Sequence, residues 1–316
     1  MSAQRRPGIR FMSPTPRPVP TGSTTGTNQP GRTDDGVPLA VWPCQQTIAQ
    51  YQREGRYLPE SFAHPGKMLP ELARRIITAF SHPGQLVVDP MCGIGTTLVE
   101  AAALDRRAIG VDVEDRWAQV AVANAEHILT PRQQRNVEVR TADARHLTTV
   151  LADHTETVDL IVTSPPYACS VGLVDASRWG TGRDLCDPHT LNYGSSTNLG
   201  HARGRTYEHA MAEVYAGCYD VLRPGGLLVT VTKNTRNKGR LYDLAGLTSA
   251  LCQQAGFGYL QHVIALLATV RDGDLVGRPS VWQRIQIGKA ITRGERVHLV
   301  AHEDVLVFAK PQEASR

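Results

Sequence analysis

The chain has 316 residues, with 34 Lys and Arg against 30 Asp and Glu and a formal net charge of +4, a length that admits one large α/β domain with insertions or two small ones. So even a charge balance is compatible with nucleic acid without requiring it, because a local basic patch matters more than the total. No apolar run approaches a membrane span, the N-terminus lacks the hydrophobic core of a signal peptide, and the six cysteines include no CxxC pair. These features predict reduced thiols in a cytoplasmic protein with no membrane contact. Cys186 and His189 have a ligand-like gap, but no metal is expected.

Residues 1–36 are rich in Pro, Gly, Ser and Thr, carry Arg5, Arg6, Arg10, Arg17 and Arg32, and have almost nothing to bury, so a disordered basic arm is expected there. Residues 37–316 are expected to form a single domain, opening near Val41-Trp42 with a short helix around Gln46 to Arg53. Leu69, Leu72, Ala73, Ile76, Ile77 and Phe80 repeat at helical spacing, with Pro70 in the first turn. A strand follows over Gln85–Asp89, then the turn Pro90-Met91-Cys92-Gly93-Ile94-Gly95-Thr96-Thr97 opens a helix. Arg107–Val111 reads as a second strand ending at Asp112, and Trp117, Val120, Ala121, Asn124 and Ile128 as another helical stripe. Val137–Arg140, ahead of Ala142-Asp143-Ala144, is a third strand, and Val158–Val162 a fourth.

The alternation continues with a helix over Tyr207–Leu222, a turn at Arg223-Pro224-Gly225-Gly226 and a fifth strand over Leu227–Val231. A helix over Leu241–Cys252, a strand near Tyr259–Leu267 and a last strand over Asp304–Ala309 complete it. This pattern predicts a doubly wound α/β fold with a largely parallel sheet and an antiparallel last strand. Two stretches break the pattern, residues 168–205 with six glycines and 271–298 with Arg271, Arg278, Arg284, Lys289, Arg293 and Arg296. Long irregular segments within a domain are usually functional or disordered.

A strand ending in Asp89 and a Gly93-x-Gly95 turn into a helix let backbone approach a ligand closely. Asp112, at the end of the next strand, stands where dinucleotide-type sites keep a carboxylate for ribose hydroxyls. The missing third glycine and the absence of a GKS or GKT sequence argue against pyrophosphate or triphosphate, leaving a nucleoside-type cofactor. After the fourth strand come Thr163-Ser164-Pro165-Pro166-Tyr167. Two prolines fix the backbone and remove two N–H donors, so the loop is a rigid, acceptor-rich corner followed by an aromatic face, suited to a flat amine-bearing group. As structure alone, Asp112 and Asp143 would be helix caps and the prolines a strand stop.

Asp89 to Thr97 followed by Ser164-Pro165-Pro166-Tyr167 resembles the paired signatures of the amino-group DNA methyltransferases that use S-adenosylmethionine. Phe62-Ala63-His64-Pro65-Gly66-Lys67 resembles their His-Pro-x-Lys element, and His302 to Lys310 their closing strand. The resemblance implies a Rossmann-like methyltransferase sheet with target-recognition insertions at about 168–205 and 271–298. It implies that Lys67, Asp89, Pro90, Cys92, Gly93, Gly95, Thr96 and Thr97 hold the methionine end of the cofactor, Asp112 the ribose hydroxyls and Asp143 the adenine amine. Ser164 and Pro165, stiffened by Pro166, would accept hydrogen bonds from the target amine, and Tyr167 would stack on a flipped base.

Serine ahead of the prolines resembles the N4-cytosine branch, so DNA cytosine-N4 methylation of double-stranded DNA is the leading expectation. N6-adenine methylation is the alternative, and an RNA guanine-N2 methyltransferase a more distant one. A homodimer and a cognate restriction enzyme are the further partners considered. Pro43-Cys44-Gln45 is similar to the catalytic tripeptide of cytosine-C5 methyltransferases, but it precedes the cofactor region and lacks the accompanying Glu-Asn-Val.

Overall fold

A computed structural model describes residues 36–64, 66–166, 198–202, 204–237, 240–277 and 281–312. The expected basic arm, Tyr167 and nearly all of 168–205 therefore lie outside the described residues. After β1 (Val41–Pro43), α1 (Pro70–Phe80) begins on a proline, where a missing N–H costs nothing, and buries Leu72, Ala73, Ile76 and Ile77 completely. The doubly wound half then runs β2 (Leu86–Asp89), α2 (Thr96–Ala103), β3 (Arg107–Asp112), α3 (Asp115–Ile128), the one-turn α4 (Pro131–Gln134), β4 (Val137–Thr141), the one-turn α5 (Leu147–Val150) and β5 (Val158–Thr163). α6 (Arg205–Val221) leads into β6 (Leu222–Thr232), the hairpin β7 (Thr235–Asn237) and β8 (Arg240–Tyr242), α7 (Leu244–Gln254) and β9 (Gly258–Leu266). A second hairpin, β10 (Ala268–Arg271) and β11 (Asp274–Gly277), precedes α8 (Val281–Thr292) and the closing β12 (His302–Ala309).

Eight strands form one sheet in the order β1-β9-β12-β6-β5-β2-β3-β4, with β4, β3, β2, β5 and β6 parallel and β12 antiparallel to both neighbours. The predicted parallel core and antiparallel last strand are both present. Because the chain leaves β2 toward β3 and returns on its other side as β5, the loops after β2 and β5 diverge, and a crevice opens between them. β2 and β5 are apolar on both sides because helices cover both faces. Leu72, Ile76 and Leu98 from α1 and α2 pack with Val87, Leu160 and Val162, while Met211, Tyr215 and Cys218 from α6 pack with Val88 and Ile161 on the other face.

Three segments differ from the sequence reading. Residues 46–53 form turns instead of a helix: the Gln52 amide donates to the carbonyls of Cys44 and Thr47, and the Arg53 guanidinium donates to the Met68 carbonyl, so tertiary partners take up this segment. Arg223-Pro224-Gly225-Gly226 is not a turn ahead of a strand but the beginning of β6, the register against β5 shifting between Val158 and Leu160 to absorb it. Gly225 has φ +75° there, a backbone conformation that favours glycine. The expected irregular segment 271–298 contains a hairpin and a helix. Among the described residues no helix is long and apolar enough to cross a membrane.

Candidate active site

The crevice between β2 and β5 holds a cavity of about 350 Å³. Its floor is the turn after β2. Gly93 and Gly95 have φ +50° and +80°, which an L side chain rarely adopts, and a Cβ on Gly95 would lie 2.9 Å from the Cβ of Ala121. Gly110 in β3 lets the same turn press onto the sheet: a Cβ there would lie 2.6 Å from Leu98 Cδ1 and 2.8 Å from Cys92 Sγ. The buried Cys92 side chain thus packs behind the loop, although the residue also lines the cavity.

Two buried aspartates lock this turn. Asp89 Oδ1 accepts from the Met91 N–H at 3.1 Å and Oδ2 from the Thr97 hydroxyl at 2.6 Å. Asp112 Oδ2 accepts from the Gly93 N–H at 2.8 Å and Oδ1 from the Glu114 N–H at 2.9 Å. Burial pushes both carboxyls up to about 6, against the hydrogen bonds that favour their charged forms. Each oxygen keeps a further lone pair, so holding the turn leaves capacity for a ligand hydroxyl or amine. Asp143 caps the single turn at Ala144–His146 and is paired with Arg145. Partial burial raises its carboxyl, and the hydrogen bonds from Arg145 more than offset that, leaving it below the ordinary value.

Across the cavity stand Ser164, Pro165 and Pro166 at the carboxyl end of β5, and above the glycine turn the segment His64 to Met68. His64 is wedged between Gly93 and Trp117, its ring 4.6 Å from the indole in an edge-on arrangement. Burial, helped by Lys67, holds the imidazole down to about 4 and therefore neutral at neutral pH. Lys67 donates to the carbonyls of Phe62 and His64, and burial lowers its ammonium to about 8.

Of the residues expected at the cofactor, Lys67, Asp89, Pro90, Cys92, Gly93, Thr96, Thr97, Asp112 and Asp143 line this one cavity together with Ser164, Pro165 and Pro166. Gly95 does not line it; it is the cap of α2, with its open side turned to α3. Sequence reading missed Trp117 as a lining residue, Asn198, whose amide donates to Glu114 Oε1 at 3.1 Å, and Glu303. On the β2–β4 flank the lining acids Asp89, Asp112 and Asp143 outnumber the single ammonium of Lys67. That excess fits S-adenosylmethionine, which brings a sulfonium and an ammonium with one carboxylate. The diverging loops fit its nucleoside at the Asp112 and Asp143 end.

Fold and lining together suit S-adenosylmethionine as the ligand of this cavity. Residues 16–123, about a third of the chain, match the N6/N4 methyltransferase family, described as DNA methylase. A tRNA (guanine(10)-N2)-dimethyltransferase of Methanocaldococcus jannaschii is 35% identical over 123 residues, 38% of this chain and 34% of that enzyme. A type II methyltransferase of Streptococcus pneumoniae is 41% identical over 58 residues, 18% of this chain and 22% of its own. A DNA adenine methyltransferase of Escherichia coli is 35% identical over 68 residues, 21% of this chain and 23% of its own. The chain thus spans no more than about a third of the length of these relatives, between 22% and 34%.

Proposed function

We propose that this chain transfers the methyl group of S-adenosylmethionine to the exocyclic N4 amine of cytosine in double-stranded DNA. The observation that carries the reading is the facing of two loops across one cavity: the glycine turn with Asp89 and Asp112 on one side, Ser164-Pro165-Pro166 on the other. When bound, S-adenosylmethionine supplies an electrophilic methyl group on a sulfonium. Asp112 is assigned the ribose hydroxyls and Asp143 the adenine amine, while Lys67, Asp89, Gly93, Thr96 and Thr97 take the methionine end. In this scheme Gly95 acts through the shape of the turn, and Cys92 through packing.

An exocyclic amine conjugated into its ring is a poor nucleophile. By accepting hydrogen bonds from its two N–H groups, the Ser164 hydroxyl and the Pro165 carbonyl favour pyramidal nitrogen and aim its lone pair at the methyl carbon. The nitrogen–carbon bond forms as the carbon–sulfur bond breaks, and the methylated amine releases a proton. Positioning supplies much of the acceleration, and no covalent enzyme intermediate is required. The amine cannot be reached inside a duplex, so the base flips out, and Tyr167 is assigned the stacking role.

Serine at the first loop position favours cytosine N4. Adenine N6 is the second reading, favoured by the similarity to an enzyme named as a DNA adenine methyltransferase. A guanine-N2 reading rests on the longer match to a tRNA-modifying enzyme. A cytoplasmic location, a homodimer and a cognate restriction enzyme accompany the leading reading as assumptions. Methylome sequencing of DNA from an expressing host, without bisulfite, tests it together with transfer assays on tRNA. N4-methylcytosine is the expected product; modified adenine alone, or transfer to tRNA and none to DNA, would overturn it.

A further inference from the structure

One wall of the cavity has no part in the transfer chemistry above. Glu303, the second residue of β12, stands next to Asp304, which pairs with Thr232 of β6, so Glu303 is level with Lys233 just beyond the end of β6. The strand order places Asp143, Asp112 and Asp89 on one flank of Ser164, and Lys233 and Glu303 on the other. Residues alternate across a strand, and Val305 and Val307 pack with Leu160 and Val162 on the α1 face, so Glu303 is turned to the face that holds the cavity. Glu303 lines that cavity, and its Oε2 is buried with no hydrogen-bond partner among the described residues. Lys233 is 7% exposed and has no ion pair with Glu303 within 4 Å.

A buried carboxyl oxygen without a partner is costly and requires explanation. The cofactor assignments above occupy the opposite flank. Two strand spacings, about 10 Å, separate the backbones of β12 and β5. A flat heterocycle held by its amine at Ser164 fills that interval with room for a hydrogen bond at its other edge.

We propose that Glu303 is the specificity-determining group for the target base, donating from its carboxyl to the ring nitrogen beside the reactive amine, N3 of cytosine. This rests on the amine-methylation reading given above. Cytosine N3 and adenine N1 are acceptors that such a donor satisfies, whereas thymine N3, and guanine presented by its N1 edge, carry a hydrogen and would meet it donor to donor. Burial raises the Glu303 carboxyl and so favours the protonated donor, with Lys233 acting in the opposite sense.

The test is a duplex carrying the methylated site found in the host methylome, with the target cytosine intact or replaced by 3-deazacytosine, in which a C–H stands in place of N3. Wild type, Glu303→Gln and Glu303→Ala are compared for kcat/KM on both duplexes and for S-adenosylmethionine affinity by calorimetry. Wild type should lose about tenfold to a hundredfold on the deaza duplex. Glu303→Gln, whose amide still donates, should keep most of that discrimination. Glu303→Ala should treat the two duplexes alike while binding the cofactor as wild type does. Equal discrimination by wild type and the alanine variant would overturn the inference. So would a large loss of cofactor affinity without loss of discrimination, which would place the carboxylate at the methionine ammonium. Wild-type transfer to adenine would defeat the cytosine assignment alone, and 1-deazaadenine then serves in the same three proteins; transfer to guanine N2 alone would defeat both.

Discussion

Ser164 and the two buried aspartates divide the site's work, and the division has measurable signs. Replacing Ser164 by Ala removes one acceptor for the amine but touches none of the hydrogen bonds that hold the glycine turn. Turnover should fall by about a hundredfold or more while S-adenosylmethionine affinity barely moves; an equal loss in both would make the loop structural. Asp89 and Asp112 supply a pH test. Their carboxyls, held up to about 6 in the fold by burial, titrate near about 4 in the unfolded chain. The ligand-free fold therefore takes up protons that the unfolded chain releases. The stability their protonated forms contribute is present below about pH 4 and lost as the pH rises through about 6. The cofactor cation and its hydroxyls want the ionised forms, so its affinity runs the other way. The rise in Tm on adding S-adenosylmethionine should be smaller at about pH 5.5 than at about pH 7.5; an equal rise at both would show that these carboxylates do not meet the cofactor.

At the scale of elements, β2, β3, β5 and the turn between β2 and α2 carry the site, and all four were legible. Short apolar strands buried on both faces, a glycine pair and a terminal aspartate are local signals, and local signals survive into the fold. Where a segment's form depends on distant partners, the sequence reading fails: the turns of 46–53 answer to Cys44, Met68 and Glu71, and the Pro-Gly-Gly start of β6 to a register shift against β5. Glu303 was missed for the same reason. Its strand looked like simple closure, and only the pairing with β6 carries its carboxylate to the cavity. Gly110 has no motif at all, yet it sets how closely the glycine turn approaches the sheet. Gly110→Ala should cost about 1–3 kcal/mol and should weaken cofactor binding along with it, since Leu98 and Cys92 sit behind the turn. A calorimetric melt and titration check both, and a stable protein with full affinity would show that the turn tolerates being pushed outward.

For the molecule as a whole, the proposed function divides two tasks between the two halves of the sheet. The strands from β4 to β2 end in carboxylates that suit a cationic cofactor, whereas the strands beyond β5 lead into the hairpin of β10 and β11 and into α8. There Arg271, Arg284 and Lys289 are exposed, and so are the apolar Leu275, Ile285 and Ile291. Arg293 is paired with Glu295 at 2.8 Å. Such a surface suits a duplex bound by its phosphates and is compatible with the proposal that 271–298, which includes part of this hairpin and α8, serves target recognition. Replacing Arg271, Arg284 and Lys289 together by Gln should weaken DNA binding about equally for all sequences. It should also lower the slope of log affinity against log salt by about 0.9 for each phosphate no longer neutralised. The three residues are exposed, so Tm and S-adenosylmethionine affinity should hold, which separates weaker phosphate binding from a damaged fold. Unchanged DNA affinity with an unchanged salt slope would move recognition away from this hairpin and helix, leaving residues 168–205 to carry it.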